Sequence, residues 1–360
     1  MTRIASVDVG RGLAMLMVVG SHAIEWSRAG ELSEGVQSLH VIFASAMLPM
    51  FFFLSGALGS RAAASSWRML FLTRVAPLLW VFVLWQPAVF AYKFTAGQML
   101  PEQEDTSLTA HLLRAGASFV RPSGELWFIW ALAIFFVVFK LLRRMPPVMM
   151  AVSAGALSLV WLSFSDLLLG ASVSRLLGPG LNGIPTYYFF FVLGLFCSDV
   201  TLRLMDQRSS RHTGRLLIVV AAWLSIVTLA SVYQFFDAPV VVFAIKMLGL
   251  VGGLATAVLL ARVGVLRFIG QGSMPIYLTH SILIVGTISV LHATSLVAVP
   301  WRWWATMILI VVAVLAGLGL HALNKRGHLV WLVALPGWLG ARLGRVGTMS
   351  KRQRSALQRP

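Results

Sequence analysis

Three residues near the start of the chain have the types and spacing to move a proton: Asp8, Arg11 and His22. An imidazole titrates near neutral pH and is the usual side chain for that task. At about 1.5 Å and 100° per residue, Arg11 to His22 is roughly three turns plus 20°, or ~16 Å of helix. Asp8 lies roughly 40° short of four turns before His22. On a helix, an acid, a cation and an imidazole would therefore share one face. Glu25, three residues past His22, can reach back to orient the ring. Each group also has a structural alternative. Arg11 alone reads as an anchor whose head snorkels to the membrane interface, and His22 as a satisfied buried histidine. Their shared stripe favours function, because ionisable groups inside hydrocarbon are costly.

Other polar groups interrupt apolar runs further on. Ser55, Gly56 and Gly59 form a small-residue cluster that admits a second backbone or a thin ligand. Arg74 and Pro77 open the next run, where Arg74 can hold a phosphate or act as another anchor. A later run starts Gly124-Glu125-Leu126-Trp127-Phe128. Ser273, Tyr277 and His280 lie at i, i+4 and i+7, one helical face that suits either a substrate or an interhelical hydrogen-bond seam.

The elements that must position these groups are membrane helices. The 360 residues are 58% hydrophobic and only 11% charged, with a mean hydropathy of +0.84. A soluble domain carries about 25% charged residues, so a soluble enzyme, a disordered protein and a disulfide-rich scaffold are excluded. One cysteine, Cys197, makes neither an internal disulfide nor a cysteine-based zinc site. The eight histidines show no metal-ligand spacing, so no metal is expected. There is no phosphate-cradling glycine loop with its lysine, no HExxH and no GxSxG elbow.

Ten apolar segments approach the length of about 20 residues that a bilayer requires: 10–27, 40–59, 75–94, 125–142, 147–165, 186–201, 216–236, 240–261, 273–292 and 303–323. The expected fold is all-α and integral to the membrane, with about ten transmembrane helices. With the N-terminus inside, 22 of the 29 lysines and arginines fall on the inner side, and nine of the twelve acids fall outside, Glu102, Glu104 and Asp105 among them. By the positive-inside rule both termini are then cytoplasmic, in a cell (inner or plasma) membrane. The net charge of +17 is thus a topology signal, and no nucleic-acid partner is expected. The span 1–325 reads as one membrane domain and 326–360 as a basic tail. Within that tail Trp331, Leu332, Leu335, Trp338 and Leu339 could lie flat at the inner interface. Arg3, Arg11 and the following apolar run also have the outline of a signal peptide, a reading that nine further spans outweigh.

Several motifs, in order, resemble the acyltransferase 3 family of integral membrane acyltransferases. Arg3 through Ala14 resembles its R-x-x-x-L-D-x-x-R-G-x-A opening, with Val7 in place of leucine. Arg11 and His22 match its Arg-x10-His signature, and Phe51-Phe52-Phe53-Leu54-Ser55-Gly56 its F-F-x-L-S-G motif. Arg74-Val75-Ala76-Pro77, Leu126-Trp127-Phe128, Phe190 to Gly194 and Ser273 to His280 resemble its later motifs.

The resemblance implies transfer of an acyl group, commonly acetyl from cytoplasmic acetyl-CoA, to a hydroxyl acceptor. The acceptor is usually a carbohydrate of a surface or exported polysaccharide. On that footing His22, supported by Glu25 and Asp8, is the expected catalytic group, as a base or as an acyl-imidazole carrier. Arg11, Arg74, Ser55 and Gly56 are expected to hold acyl-CoA, which is a donor substrate rather than a resident cofactor. Trp127, Tyr277 and His280 are expected at the acceptor. The rival reading is a transporter or flippase for a lipid-linked sugar or small metabolite. It predicts paired, inverted halves with broken helices in matching positions, and the sequence shows none.

Overall fold

The protein is described from a computed structural model, which covers residues 4–27, 33–99, 107–122, 124–169, 171–206, 213–236, 238–293 and 303–345. Every regular element among them is helical. In chain order these are α1 (Ala5–Ser27), α2 (Glu34–Ala64) and α3 (Trp67–Leu70), which passes through a π-helical turn (Phe71–Val75) into α4 (Ala76–Met99). There follow α5 (Leu108–Ala117), α6 (Trp127–Leu142), α7 (Pro147–Leu169), α8 (Ala171–Phe196) and α9 (Ser198–Asp206). The remainder are α10 (Thr213–Val232), α11 (Pro239–Leu259), α12 (Gly264–Gln271), α13 (Ser273–Ala293), α14 (Trp303–Lys325) and α15 (Gly337–Arg345).

Each of the ten apolar segments overlaps one of these helices. Eight helical segments are long and apolar enough to cross a membrane, or nine if α8 and α9 form one bent span. Two segments depart from simple spans. Glu125 and Leu126 are in a turn, which leaves α6 an apolar helix of 16 residues. The segment 186–201 is broken at Cys197, where the chain bends by 72° from α8 into α9. Gly178 adds a second break within α8, at a φ of +67° that favours glycine.

Two short helices were not legible as apolar segments. α5 follows Ser107, whose hydroxyl accepts from the Ala110 amide. Its Leu112 and Leu113 are exposed, as expected for a helix lying at a membrane surface. α12 packs along α1.

α1 is the central helix. Inside the protein, 78% of its apolar window is buried, against 17% for α7 and 22% for α10, which face outward. Packing around α1 involves α2, α11, α12, α13 and α14. Two backbone crossings hold this arrangement. At the first, a Cβ on Gly12 would stand 2.2 Å from the Leu266 carbonyl oxygen, and one on Gly270 would stand 1.8 Å from the Asp8 carbonyl oxygen. At the second, a Cβ on Gly56 would meet the Phe191 carbonyl oxygen at 2.2 Å, and one on Gly194 the Phe53 carbonyl oxygen at 2.0 Å. Helices in lipid associate through close packing rather than a hydrophobic drive, so small residues at crossings matter.

The buried Lys140 ties α6 to the end of α2, donating to the carbonyls of Ala63 and Ser65. A cation at a helix C-terminus also complements its dipole. Beyond α14, the chain folds back. The indoles of Trp80 and Trp85 each donate to a backbone carbonyl, of Trp331 and Leu332, at 2.8 Å. The first part of the basic tail is therefore docked on α4. Its last ten residues lie outside the described ones, as do Glu102, Glu104 and Asp105.

Enlarging either glycine of the second crossing should destabilise the fold. Gly56→Leu or Gly194→Leu is expected to cost about 1–3 kcal/mol or more, read as a lower melting temperature of the detergent-purified protein, with Ser55→Ala close to wild type. A Gly194→Leu protein that melts as wild type would contradict the packing described.

Candidate active site

Along α1, Arg11 and His22 both face a cavity of about 330 Å³, within the range of small-molecule sites. The same cavity is lined by Ser55, Arg74, Glu125, Trp127, Ser273 and Tyr277. It runs between α1, α2, the π-helical turn, α4, α6 and α13. Its two ends differ in chemistry.

One end carries the two arginines. The Arg11 guanidinium donates to the Ser273 hydroxyl at 2.8 Å, which ties α1 to the first residue of α13. Arg74 sits in the π-helical turn, a feature often found at functional sites. It donates to the Leu58 carbonyl at 2.9 Å. A guanidinium carries five donors in a fixed fork that suits an anion, and both arginines line the cavity.

The other end holds His22 among polar partners. Its Nδ1 is 3.3 Å from Glu25 Oε2. Nδ1–H therefore donates to the carboxylate and leaves Nε2 as the acceptor. The ring of His280 lies 5.3 Å from that of His22. Glu125 faces the same space and interacts electrostatically with His22, His280 and Lys93. The Tyr92 hydroxyl donates to its carboxylate and the Tyr277 hydroxyl to its backbone carbonyl. An imidazole so placed between two carboxylates can accept a proton and be stabilised as imidazolium.

The expected site residues thus divide. Arg11, His22, Ser55, Arg74, Trp127 and Tyr277 line one cavity, and Glu25 bonds His22 from outside it, with a mostly exposed side chain. Gly56 does not face the cavity, since it makes the crossing with α8 already described. His280 is wholly buried behind the wall. Its Nδ1 bonds the Tyr277 carbonyl at 2.7 Å and its Nε2 the Ser281 hydroxyl at 3.1 Å. Both ring nitrogens are engaged within α13, and His280 does not line the cavity. Asp8 is buried where α12 covers α1 and does not line the cavity.

Glu125 is the residue that sequence reasoning missed. It stands directly before the Leu126-Trp127-Phe128 motif, where it reads as the polar edge of a span. The signal that could have found it is general: a carboxylate at the edge of an apolar run needs an internal partner.

A family model described as an acyltransferase domain matches residues 4–322. The chain belongs to the acyltransferase 3 family. No curated protein and no solved structure matches it. The family makes this multi-pass membrane protein an acyltransferase, and the cavity that joins the paired arginines to His22 is its candidate active site.

Glu125→Gln should lower turnover roughly 10- to 100-fold, the value of a charged hydrogen-bonding partner lost inside the protein. Glu25→Gln, at a carboxylate outside the cavity, should lower it by less than about fivefold. Initial rates of acyl transfer in membranes matched for protein content check this. A Glu125→Gln rate equal to wild type would remove the residue from the site.

Proposed function

We propose that this acyltransferase moves an acyl group, acetyl in the simplest case, from cytoplasmic acyl-CoA to a hydroxyl of an extracytoplasmic or membrane-associated carbohydrate. The carrying observation is that Arg11, Arg74, Ser55 and His22 line one continuous cavity. A CoA phosphate is a natural partner for two guanidinium groups. With ~16 Å of helix between Arg11 and His22, the extended pantetheine arm would lie past Ser55 and deliver the thioester to the imidazole. The phosphates stay at the arginine end because charge deep in the membrane is costly. The excess of basic residues on the N-terminal side supports placing that end in the cytoplasm.

The chemistry asked of the protein is small, because a thioester is already activated. His22 Nε2 takes the proton from the acceptor hydroxyl as its oxygen attacks the thioester carbonyl carbon. The new C–O bond forms and the C–S bond breaks. The proton on the imidazolium then passes to the departing sulfur, which leaves as the CoA thiol. Glu125 stabilises the imidazolium between the two steps, and Glu25 holds the ring in the tautomer that presents Nε2.

His22→Ala should cut transfer by about 10²- to 10⁴-fold, the usual worth of general acid–base catalysis. Arg11→Ala and Arg74→Ala should each raise the KM for acyl-CoA by roughly tenfold or more. Mass spectrometry of envelope glycans and secreted metabolites decides the reaction in the native host. A deletion strain should lose an acyl mass increment that wild type restores and His22→Ala does not. Unchanged acyl patterns with a glycan or metabolite stranded on one side of the membrane would instead favour a transporter.

A further inference from the structure

A second, smaller cavity of about 190 Å³ is lined by residues that neighbour those of the first in the chain. Its lining includes Trp26, Gln86, Lys93, His111, Arg114 and Ser118, together with Gly124 and Leu126. The last two flank Glu125, which lines the first cavity. Trp26 is one helical turn beyond His22 on α1, about 6 Å further along the axis. Lys93 follows Tyr92, the residue that donates to Glu125.

The charge of this second space differs from that of the first. Lys93 and Arg114 are close enough to interact as like charges, an arrangement that repels most where the dielectric is low. Among the described residues no carboxylate lines the cavity, and Arg114 has no ion-pair partner there. Glu125 interacts electrostatically with Lys93 from the first cavity. The neutral donors are also arranged. The Ser118 hydroxyl lies 2.6 Å from the Ala115 carbonyl and 2.8 Å from Gln86 Oε1, which fixes the Gln86 side chain at the cavity wall. His111 Nδ1 bonds the Ser107 carbonyl at 3.0 Å, leaving its Nε2 available. Trp26 supplies one flat apolar wall.

We propose that this cavity is the acceptor subsite and that it selects an anionic carbohydrate, one whose sugar ring carries a carboxylate or a phosphate. Lys93 and Arg114 take the anionic group, Gln86 bonds ring hydroxyls, and Trp26 covers the apolar face of the ring. The hydroxyl to be acylated then points past Glu125 at His22. This deepens the acyl-transfer reading and rests on it.

The test uses the full chain in lipid nanodiscs with acetyl-CoA and three probes: a glucuronic-acid disaccharide, a glucosyl phosphate and the uncharged glucose disaccharide. Transfer is followed by mass spectrometry, and binding without donor by calorimetry. Wild type should favour at least one anionic probe over the neutral one by about tenfold or more in kcat/KM, as expected for a charge-assisted contact. Which anionic probe wins separates carboxylate from phosphate recognition. Lys93→Gln and Arg114→Gln should each collapse that preference, mainly through acceptor KM. Because the readout is a ratio between probes in one preparation, partial misfolding cannot mimic it. Equal use of neutral and anionic probes by wild type would overturn the proposal while leaving acyl transfer intact. Anion binding that Lys93→Gln weakens, with no transfer to any probe, would uphold the cavity as an anion site and defeat the acyl-transfer reading instead. Variants that keep the full anionic preference would also overturn it.

Discussion

His22 lies inside an apolar bundle with a carboxylate bonded to its Nδ1, a second carboxylate nearby and another imidazole packed on its ring. Inside hydrocarbon such groups cannot rely on water, so each must be supplied from protein. That requirement accounts for much of the surrounding structure. α1 occupies the centre of the bundle, and glycine crossings with α12 and between α2 and α8 bring the neighbours close. A turn ahead of α6 delivers Glu125, and Tyr92 of α4 and Tyr277 of α13 hold it. His280 is itself fixed at both nitrogens, so the ring packed at a tilt against His22 has little freedom to move.

The same helix separates charge from chemistry. Arg11 and Arg74 mark one end of the cavity, and His22 with Glu125 the other. A thioester donor with a distant anionic handle fits that division, because its phosphates need not leave the arginine end for its carbonyl to reach the base. The second cavity is lined by the chain neighbours of Glu125, Gly124 and Leu126. Donor and acceptor would then approach His22 from opposite ends, and Glu125 stands at their junction.

Much of this was legible in the sequence wherever one helix carried the information. Arg11 and His22 share a face because helical periodicity says so, and α1 obeys it. Composition identified the membrane helices, and all ten apolar segments overlap helices in the structure. What failed to show depends on contacts between distant parts of the chain. Gly56 and Ser55 are neighbours in one motif, and a helix sets them roughly 100° apart; which of them packs on α8 and which lines the cavity depends on how α2 sits among its neighbours. Glu125 gained its role from Tyr92, 33 positions away, and from Tyr277, 152 away. The face shared by Ser273, Tyr277 and His280 suits a substrate or a hydrogen-bond seam equally in outline, and only the fold shows that the His280 nitrogens bond Tyr277 and Ser281. The break at Cys197 and the docking of Trp331 and Leu332 on α4 have no periodic signature at all.

The most direct test of a single cavity joining donor clamp to base is a cryo-electron microscopy structure with a non-hydrolysable thioether analogue of acetyl-CoA. The account predicts phosphate density at Arg11 and Arg74, and the thioether sulfur beside His22 Nε2 with the arm passing Ser55. Phosphates bound elsewhere, or a sulfur that ends remote from His22, would contradict it.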